Sequence, residues 1–98
     1  PQFAFVTGNP KFKGIYWPSN APGHEGAAAV NLEVDATGKI LSAKVAYEHP
    51  PNLGFGAAVA GPIRDALFIP GFRNGKPASC RFTWTLLFFG GGLQMKSG

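Results

Sequence analysis

The sequence predicts an α+β fold with two layers, in which one main helix packs on one face of a three-stranded antiparallel sheet. Two alternating segments joined by a turn come first, a run with apolar residues at helical spacing follows, and an aromatic-rich strand closes the pattern. At 98 residues the chain is long enough for one such core and too short for two.

The first two strands form a predicted hairpin. From Gly26 to Asp35 apolar and more polar side chains alternate, which indicates one buried face, and the apolar positions are Ala28, Val30, Leu32 and Val34. Asp35 and Gly38 take the first and last positions of a type I turn, where these residue types are preferred. The return strand runs from Lys39 to Tyr47, and strict alternation assigns one face to Leu41, Ala43, Val45 and Tyr47.

The main helix is predicted near Ala57 to Leu67, and its apolar positions include Phe55, Ile63 and Leu67, which we expect in the core. Pro62 opposes this helix, because proline costs about 3 kcal/mol in a helix interior. The helix should therefore begin near Gly61 or be kinked there. It should end before Pro70, since the residue before a proline is pushed out of the helical region.

The closing strand is predicted from Ala78 to Phe89. One of its faces is apolar throughout, and Leu87 and Phe89 make the end of the other face apolar as well. Three glycines follow, so residues 90–98 are predicted to be a flexible tail. Residues 1–15 are predicted to be an N-terminal extension, with a short strand within Phe3 to Val6.

Composition argues against several classes of function. The formal charge of +4 is spread along the chain, whereas nucleic-acid binders cluster their cations, so we expect no nucleic-acid partner. The candidate zinc ligands are His24 and His49, with Cys80 as the sole soft ligand, and they are too few and too scattered for a zinc site. Glu33 and Asp35 are interpreted as ordinary solvated carboxylates. We therefore expect no cofactor, no metal and no enzymatic activity.

The order of these elements, together with five local features, resembles the C-terminal domain of the TonB energy transducers. The features are Gly26 before the first strand, the turn from Asp35 to Gly38, Phe68 with Pro70, Gly75 with Pro77, and a closing strand that ends at Phe89. The resemblance spans residues 16–89. It departs from the family at Tyr16-Trp17-Pro18, at Ala66 where the family has Trp, and at Pro22-Gly23. The helix before the first strand is therefore predicted to be absent or limited to about one turn.

The resemblance implies a periplasmic domain held by an N-terminal inner-membrane anchor and driven by a motor of the ExbB/ExbD type. Its partner would be the TonB box of an outer-membrane receptor, added as a strand to the exposed edge of the closing strand. The same edge is expected to pair alternatively with a second copy, giving a homodimer. The predicted partner-binding residues are Arg81, Phe82, Thr83, Trp84, Thr85, Leu86 and Leu87, with Tyr16 and Trp17 as a contact pair.

Simpler structural roles and an alternative function are also consistent with the sequence. Tyr16 and Trp17 also suit a role as core cover, and Trp84 suits a place within the core. The alternative function is a stand-alone structural or interaction module of the cell envelope that uses the same fold without energy transduction.

Overall fold

The computed structural model describes residues 5–6, 8–18, 25–89 and 92–97. In chain order the elements are β1 (Phe5–Val6), β2 (Gly26–Val34), β3 (Ile40–His49), α1 (Phe55–Ile63), β4 (Leu67–Phe68), β5 (Gly71–Arg73), β6 (Lys76–Ala78), β7 (Cys80–Phe89) and β8 (Gly92–Ser97). Within these residues, no helix has the length and apolar character needed to cross a membrane. The predicted absence of a helix before the first strand falls largely on residues 19–24, which lie outside the described residues.

The main sheet has the strand order β3-β2-β7-β8, and every neighbouring pair is antiparallel. Helix α1 packs on β2 and β3, so the molecule has a sheet layer and a helix layer. The prediction of an α+β fold with an antiparallel sheet and one helix is confirmed. The three predicted strands are present, and β8 adds a fourth.

Strand β8 corrects the prediction of a flexible tail over residues 90–98. Residues 92–97 pair with β7 from Trp84 to Phe89, and Phe89 lies opposite Gly92. A glycine run suits a mobile end and a tight connection between strands equally well, so this part of the sequence is ambiguous. Residues 90, 91 and 98 lie outside the description.

Strand β3 does not alternate strictly, because its register with β2 shifts twice. Val30 pairs with Val45 although Ala29 pairs with Tyr47, and Val34 pairs with Ile40 although Glu33 pairs with Ser42. Each bulge turns the next side chains to the opposite face. The predicted face is therefore correct at Ala43, which is buried, and at Val45, which pairs with the core residue Val30. It is wrong at Leu41 and Tyr47, which are 56% and 55% exposed, and Ile40 is buried in place of Leu41.

Helix α1 spans Phe55–Ile63, so it starts and ends earlier than predicted. It contains Pro62 in its last turn and does not begin near Gly61. Gly54, in the left-handed conformation, precedes it. Leu67, predicted at the helix end, belongs instead to β4, which pairs with β1.

The core lies between α1 and one face of the sheet. Phe88 packs on Phe55 with ring centroids 4.8 Å apart, and Trp84 meets Phe68 edge-on at 5.9 Å. The buried set also includes Ala28, Val30, Leu32, Val34, Ile40, Ala43, Val59, Ala60, Ile63, Ala66 and Leu86. Phe12, Ile15 and Trp17 of the N-terminal segment pack against its margin.

A second small hairpin joins β5 and β6. Arg73 pairs with Lys76, and both residues between them, Asn74 and Gly75, have positive φ. An Asn-Gly pair with positive φ at both positions is the preferred two-residue hairpin connection.

Candidate functional site: the faces and edges of the sheet

The closing strand β7 is paired on both sides. Strand β2 pairs with it from Cys80 to Phe88, and β8 pairs with it from Trp84 to Phe89. The prediction of a free edge along Arg81 to Phe89 is therefore wrong for its larger part, because β8 was not foreseen. Among the described pairings, only residues 80–83 of β7 lack a neighbour on the β8 side.

The predicted partner-binding side chains divide between the two faces of β7. Trp84 and Leu86 are buried, and Phe82 packs on Phe68 with ring centroids 5.7 Å apart, so these three belong to the core side. The other four alternate to the opposite face, and they are Arg81, Thr83, Thr85 and Leu87. Only these four can offer side chains to a ligand lying on that opposite face.

Tyr16 and Trp17 do not act as a pair. Trp17 is half-buried and meets the ring of Phe88 edge-on at 5.5 Å. Tyr16 is 71% exposed. The structure thus uses Trp17 as core cover and leaves Tyr16 accessible.

The outer edge of β3 is closed along its first half. Lys39, just before the strand, forms a β-bridge with Leu67. Further along, the Arg64 Nη2 donates a hydrogen bond of 2.9 Å to the carbonyl oxygen of Ala43. Bulges and covered carbonyls are ordinary protections of an edge strand. Strand addition on this side is therefore restricted to the end of β3, from Val45 onward.

The face of the sheet opposite α1, here called the open face, carries two rows of polar side chains. In one row Asn31 lies between Lys44 and Thr83, and in the other Glu33 lies between Ser42 and Arg81. These six residues, the polar grid, line a groove of about 520 Å³.

Two contacts order the polar grid. Thr83 Oγ1 donates a hydrogen bond of 2.8 Å to Asn31 Oδ1. Arg81 Nε lies 3.5 Å from Glu33 Oε2, with the Arg81 side chain largely in solvent. Exposed pairs of this kind contribute little to stability, so the grid is organised without being rigidly fixed.

The remaining part of the open face is less polar. Its floor is formed by Ala27 and Ala29 of β2, which pair with His49 and Tyr47 of β3. The Tyr47 and His49 rings are stacked, with centroids 6.5 Å apart and planes 5° from parallel. Tyr47 is 55% exposed, so an aromatic ring is open to solvent beside the small side chain of Ala29. On the other side of β2, Leu87 and Thr85 lie opposite Ala27 and Ala29.

The candidate metal ligands are not brought together in the part of the chain that is described. No group of three or more His, Cys, Asp or Glu side chains there could hold a metal ion, and His24 lies outside it. Cys80 is half-buried against the core, whereas His49 lies on the open face. The expected absence of a metal and of a cofactor stays a prediction.

Glu33 and Asp35 do not form a carboxylate pair, since Glu33 faces Arg81 and Asp35 organises the hairpin turn. Asp35 Oδ1 accepts hydrogen bonds from the Thr37 hydroxyl at 2.6 Å and from the Thr37 and Lys39 amides. The Thr37 hydroxyl above all, and then these amides, hold the pKa of Asp35 below its usual value.

Two features of the site were missed by sequence reasoning. The pairing of β8 has a weak signal in the two-residue spacing between Phe89 and Gly92, which suits a hairpin. The placement of Tyr47 beside Ala29 depends on a bulge, and a strictly alternating pattern gives no signal for it.

Comparisons of the sequence and structure with protein-family models, curated proteins and solved structures gave no match.

Proposed function

We propose that this chain is a TonB-like periplasmic binding domain that accepts a segment of an outer-membrane receptor as an added strand beside β7. An inner-membrane anchor and a motor of the ExbB/ExbD type belong to this proposal. The strand order β3-β2-β7, with one helix inserted between β3 and β7 and packed on one face, supports it. The proposed activity is mechanical coupling through a bound peptide, without catalysis.

The observation that carries the proposal is the unequal length of β7 and β8. Strand β7 has ten residues, and β8 has six, so the edge at Cys80 to Thr83 has no described partner. A receptor segment that replaced β8 would exchange its backbone hydrogen bonds one for one and would gain further pairing at this edge. The closed first half of β3 makes the opposite edge of the sheet a poorer acceptor.

Strand β8 itself competes with an incoming peptide for pairing with β7. Because Phe89 and Gly92 are adjacent across the hairpin, β8 is tethered next to its own site. A short tether gives an effective concentration of the order of millimolar or higher, so an incoming peptide competes at a disadvantage. Removing β8 should therefore strengthen peptide binding.

The test compares binding of a TonB-box peptide to three forms in a Cys80→Ser background, by calorimetry and amide chemical shifts. The first ends at Gly91 and so lacks β8. The second joins β8 to β7 through Thr85→Cys with Lys96→Cys, which lie directly opposite each other. The third, a control, joins β2 to β3 through Asn31→Cys with Lys44→Cys, which are also opposite. Thiol titration verifies each disulfide.

The truncated form should bind at least about tenfold more tightly than the parent. The oxidised β7–β8 disulfide should abolish binding, reduction should restore it, and the β2–β3 disulfide should leave it unchanged. Equal binding by the oxidised β7–β8 form would show that the peptide does not replace β8. Absence of peptide binding by every form would favour the stand-alone envelope module.

A further inference from the structure

The open face combines two kinds of surface that face solvent together. The polar grid lies at one end of β2, and the Tyr47 and His49 rings with the floor of Ala27 and Ala29 lie at the other. From Ala27 to Glu33 the strand advances by about 20 Å at the usual rise per residue. An extended ligand along β2 would contact both surfaces.

Hydrogen-bonding capacity in the polar grid is mixed. The Asn31 Oδ1 accepts from Thr83, which leaves the Asn31 amide hydrogens to donate to a ligand. Ser42 both donates and accepts, and Glu33 accepts at the oxygen that does not face Arg81. Closely spaced donors and acceptors match hydroxyl groups, which also do both.

The charges of the polar grid indicate which charge a ligand should carry. Glu33 offsets Arg81, and Lys44 is exposed and takes part in no ion pair with the described residues. One uncompensated cation beside a carboxylate suits a ligand with an occasional negative charge. A nucleic acid, which carries a phosphate at every nucleotide, would be repelled by Glu33 and would need more cations.

The aromatic end requires a ligand with apolar faces. The Tyr47 ring is exposed, stacks parallel to the His49 ring and lies beside the small side chain of Ala29. The π face of an aromatic ring attracts C–H groups. Sugar rings satisfy both ends, because their hydroxyl rims are polar and their C–H faces are apolar. We infer that the open face is a binding site for an extended glycan that carries carboxylate groups. This site uses side chains of the open face, whereas strand addition would use the backbone of the β7 edge. The inference therefore does not depend on strand addition, although Arg81 and Thr83 border both surfaces.

The experiment titrates the full chain with four hexameric probes at low salt and follows amide chemical shifts and affinity. The probes are a hyaluronan hexasaccharide, which carries one carboxylate on every second sugar, neutral cellohexaose, oligo-dT and oligoglutamate. The hyaluronan hexasaccharide should bind most tightly and should shift the amides of Asn31, Lys44, Tyr47 and Thr83. Cellohexaose should bind the same residues at least tenfold more weakly, because it lacks the carboxylates that Lys44 recognises.

Matched variants separate this site from general attraction to a basic protein. Lys44→Gln should weaken binding of the hyaluronan hexasaccharide at least tenfold, and Lys76→Gln, which removes the same charge from β6, should change it less than twofold. Tyr47→Ala should weaken it similarly, and Phe72→Ala should not, although Phe72 is equally exposed at 54%.

Three results would overturn the inference. Equal losses for Lys44→Gln and Lys76→Gln would show that only net charge attracts the glycan. Tighter binding of oligo-dT or of oligoglutamate would assign the face to nucleic acid or to acidic peptides. Shifts confined to residues outside the open face would place the glycan elsewhere. Thermal unfolding of each variant checks that it is folded.

Discussion

The two faces of the main sheet are made from the same strands and differ in burial: one forms the core and the other faces solvent. Along β2, Val30, Leu32 and Val34 are fully or almost fully buried, whereas Asn31 between them is exposed. The buried face packs closely against α1 and β4. On the open face, the contacts between described side chains are one hydrogen bond, one loose ion pair and one stacked ring pair. Most of the stability therefore comes from the buried face. The residues of the open face can be chosen for ligand binding at little cost in stability.

The largest difference between the faces should appear when neighbouring residues of β7 are truncated. Phe88 is in the core against Phe55, so Phe88→Ala should cost about 3–5 kcal/mol of unfolding free energy. Leu87 is half-buried on the open face, so Leu87→Ala should lower the unfolding free energy by about 1 kcal/mol. Urea denaturation of both variants measures the difference. Equal losses would mean that the open face is covered.

Two glycines with positive φ differ in the same way, because an added Cβ would meet backbone atoms at one and open space at the other. A Cβ on Gly38 would overlap the carbonyl oxygen of Phe68, whose amide donates to the Gly38 carbonyl at 2.9 Å. Gly38→Ala should therefore cost roughly 2–4 kcal/mol, from strain and from the displaced β4. Gly75 has open space around it, so Gly75→Ala should cost about 1–2 kcal/mol, from strain alone. Thermal unfolding in parallel tests the order of the two.

A smaller contrast lies within α1. A Cβ on Gly56 would come within 2.8 Å of Val45 Cγ1 and 3.0 Å of Glu48 Oε1, so Gly56→Ala should destabilise by about 1–2 kcal/mol. At Gly61 no atom lies within 4 Å. The usual gain from Gly to Ala in a helix is there opposed by the clash with Pro62, so Gly61→Ala should change stability by less than about 0.5 kcal/mol. A stabilised Gly56→Ala would show that the helix stands further from β3.

Sequence periodicity predicted the buried face better than it predicted the open one. For β2 the alternation alone identified the four core residues, because one face of that strand is uniformly apolar. For β3 the same method failed at Leu41 and Tyr47. A bulge adds one residue without any required change of residue type, so the faces after it cannot be assigned from alternation.

The candidate sites depended still more on tertiary contacts. The Asn31–Thr83 contact joins residues 52 apart in sequence, and no local pattern brings them together. Phe82, Trp84 and Leu86 were assigned to partner binding because an apolar strand edge predicts pairing, but their side chains complete the core. Only the hairpin turn was predictable in detail, since Asp35 and Gly38 have local conformational roles.

The smallest effect concerns this turn, whose hydrogen bonds are exposed. The pKa of Asp35 is lowered chiefly by the Thr37 hydroxyl, so its carboxylate contributes stability above the usual Asp pKa of 3.8 and loses that contribution as pH falls through the lower folded value. Asp35→Asn should remove this part of the pH dependence. Asp65→Asn removes an equal charge where the carboxylate makes no hydrogen bond with described residues, and it should retain that part. Urea midpoints between about pH 2 and 7 measure the difference, and an NMR titration locates the Asp35 midpoint directly. A midpoint at or above 3.8 would contradict the turn geometry, because three donors aimed at one carboxylate oxygen must favour its ionised form.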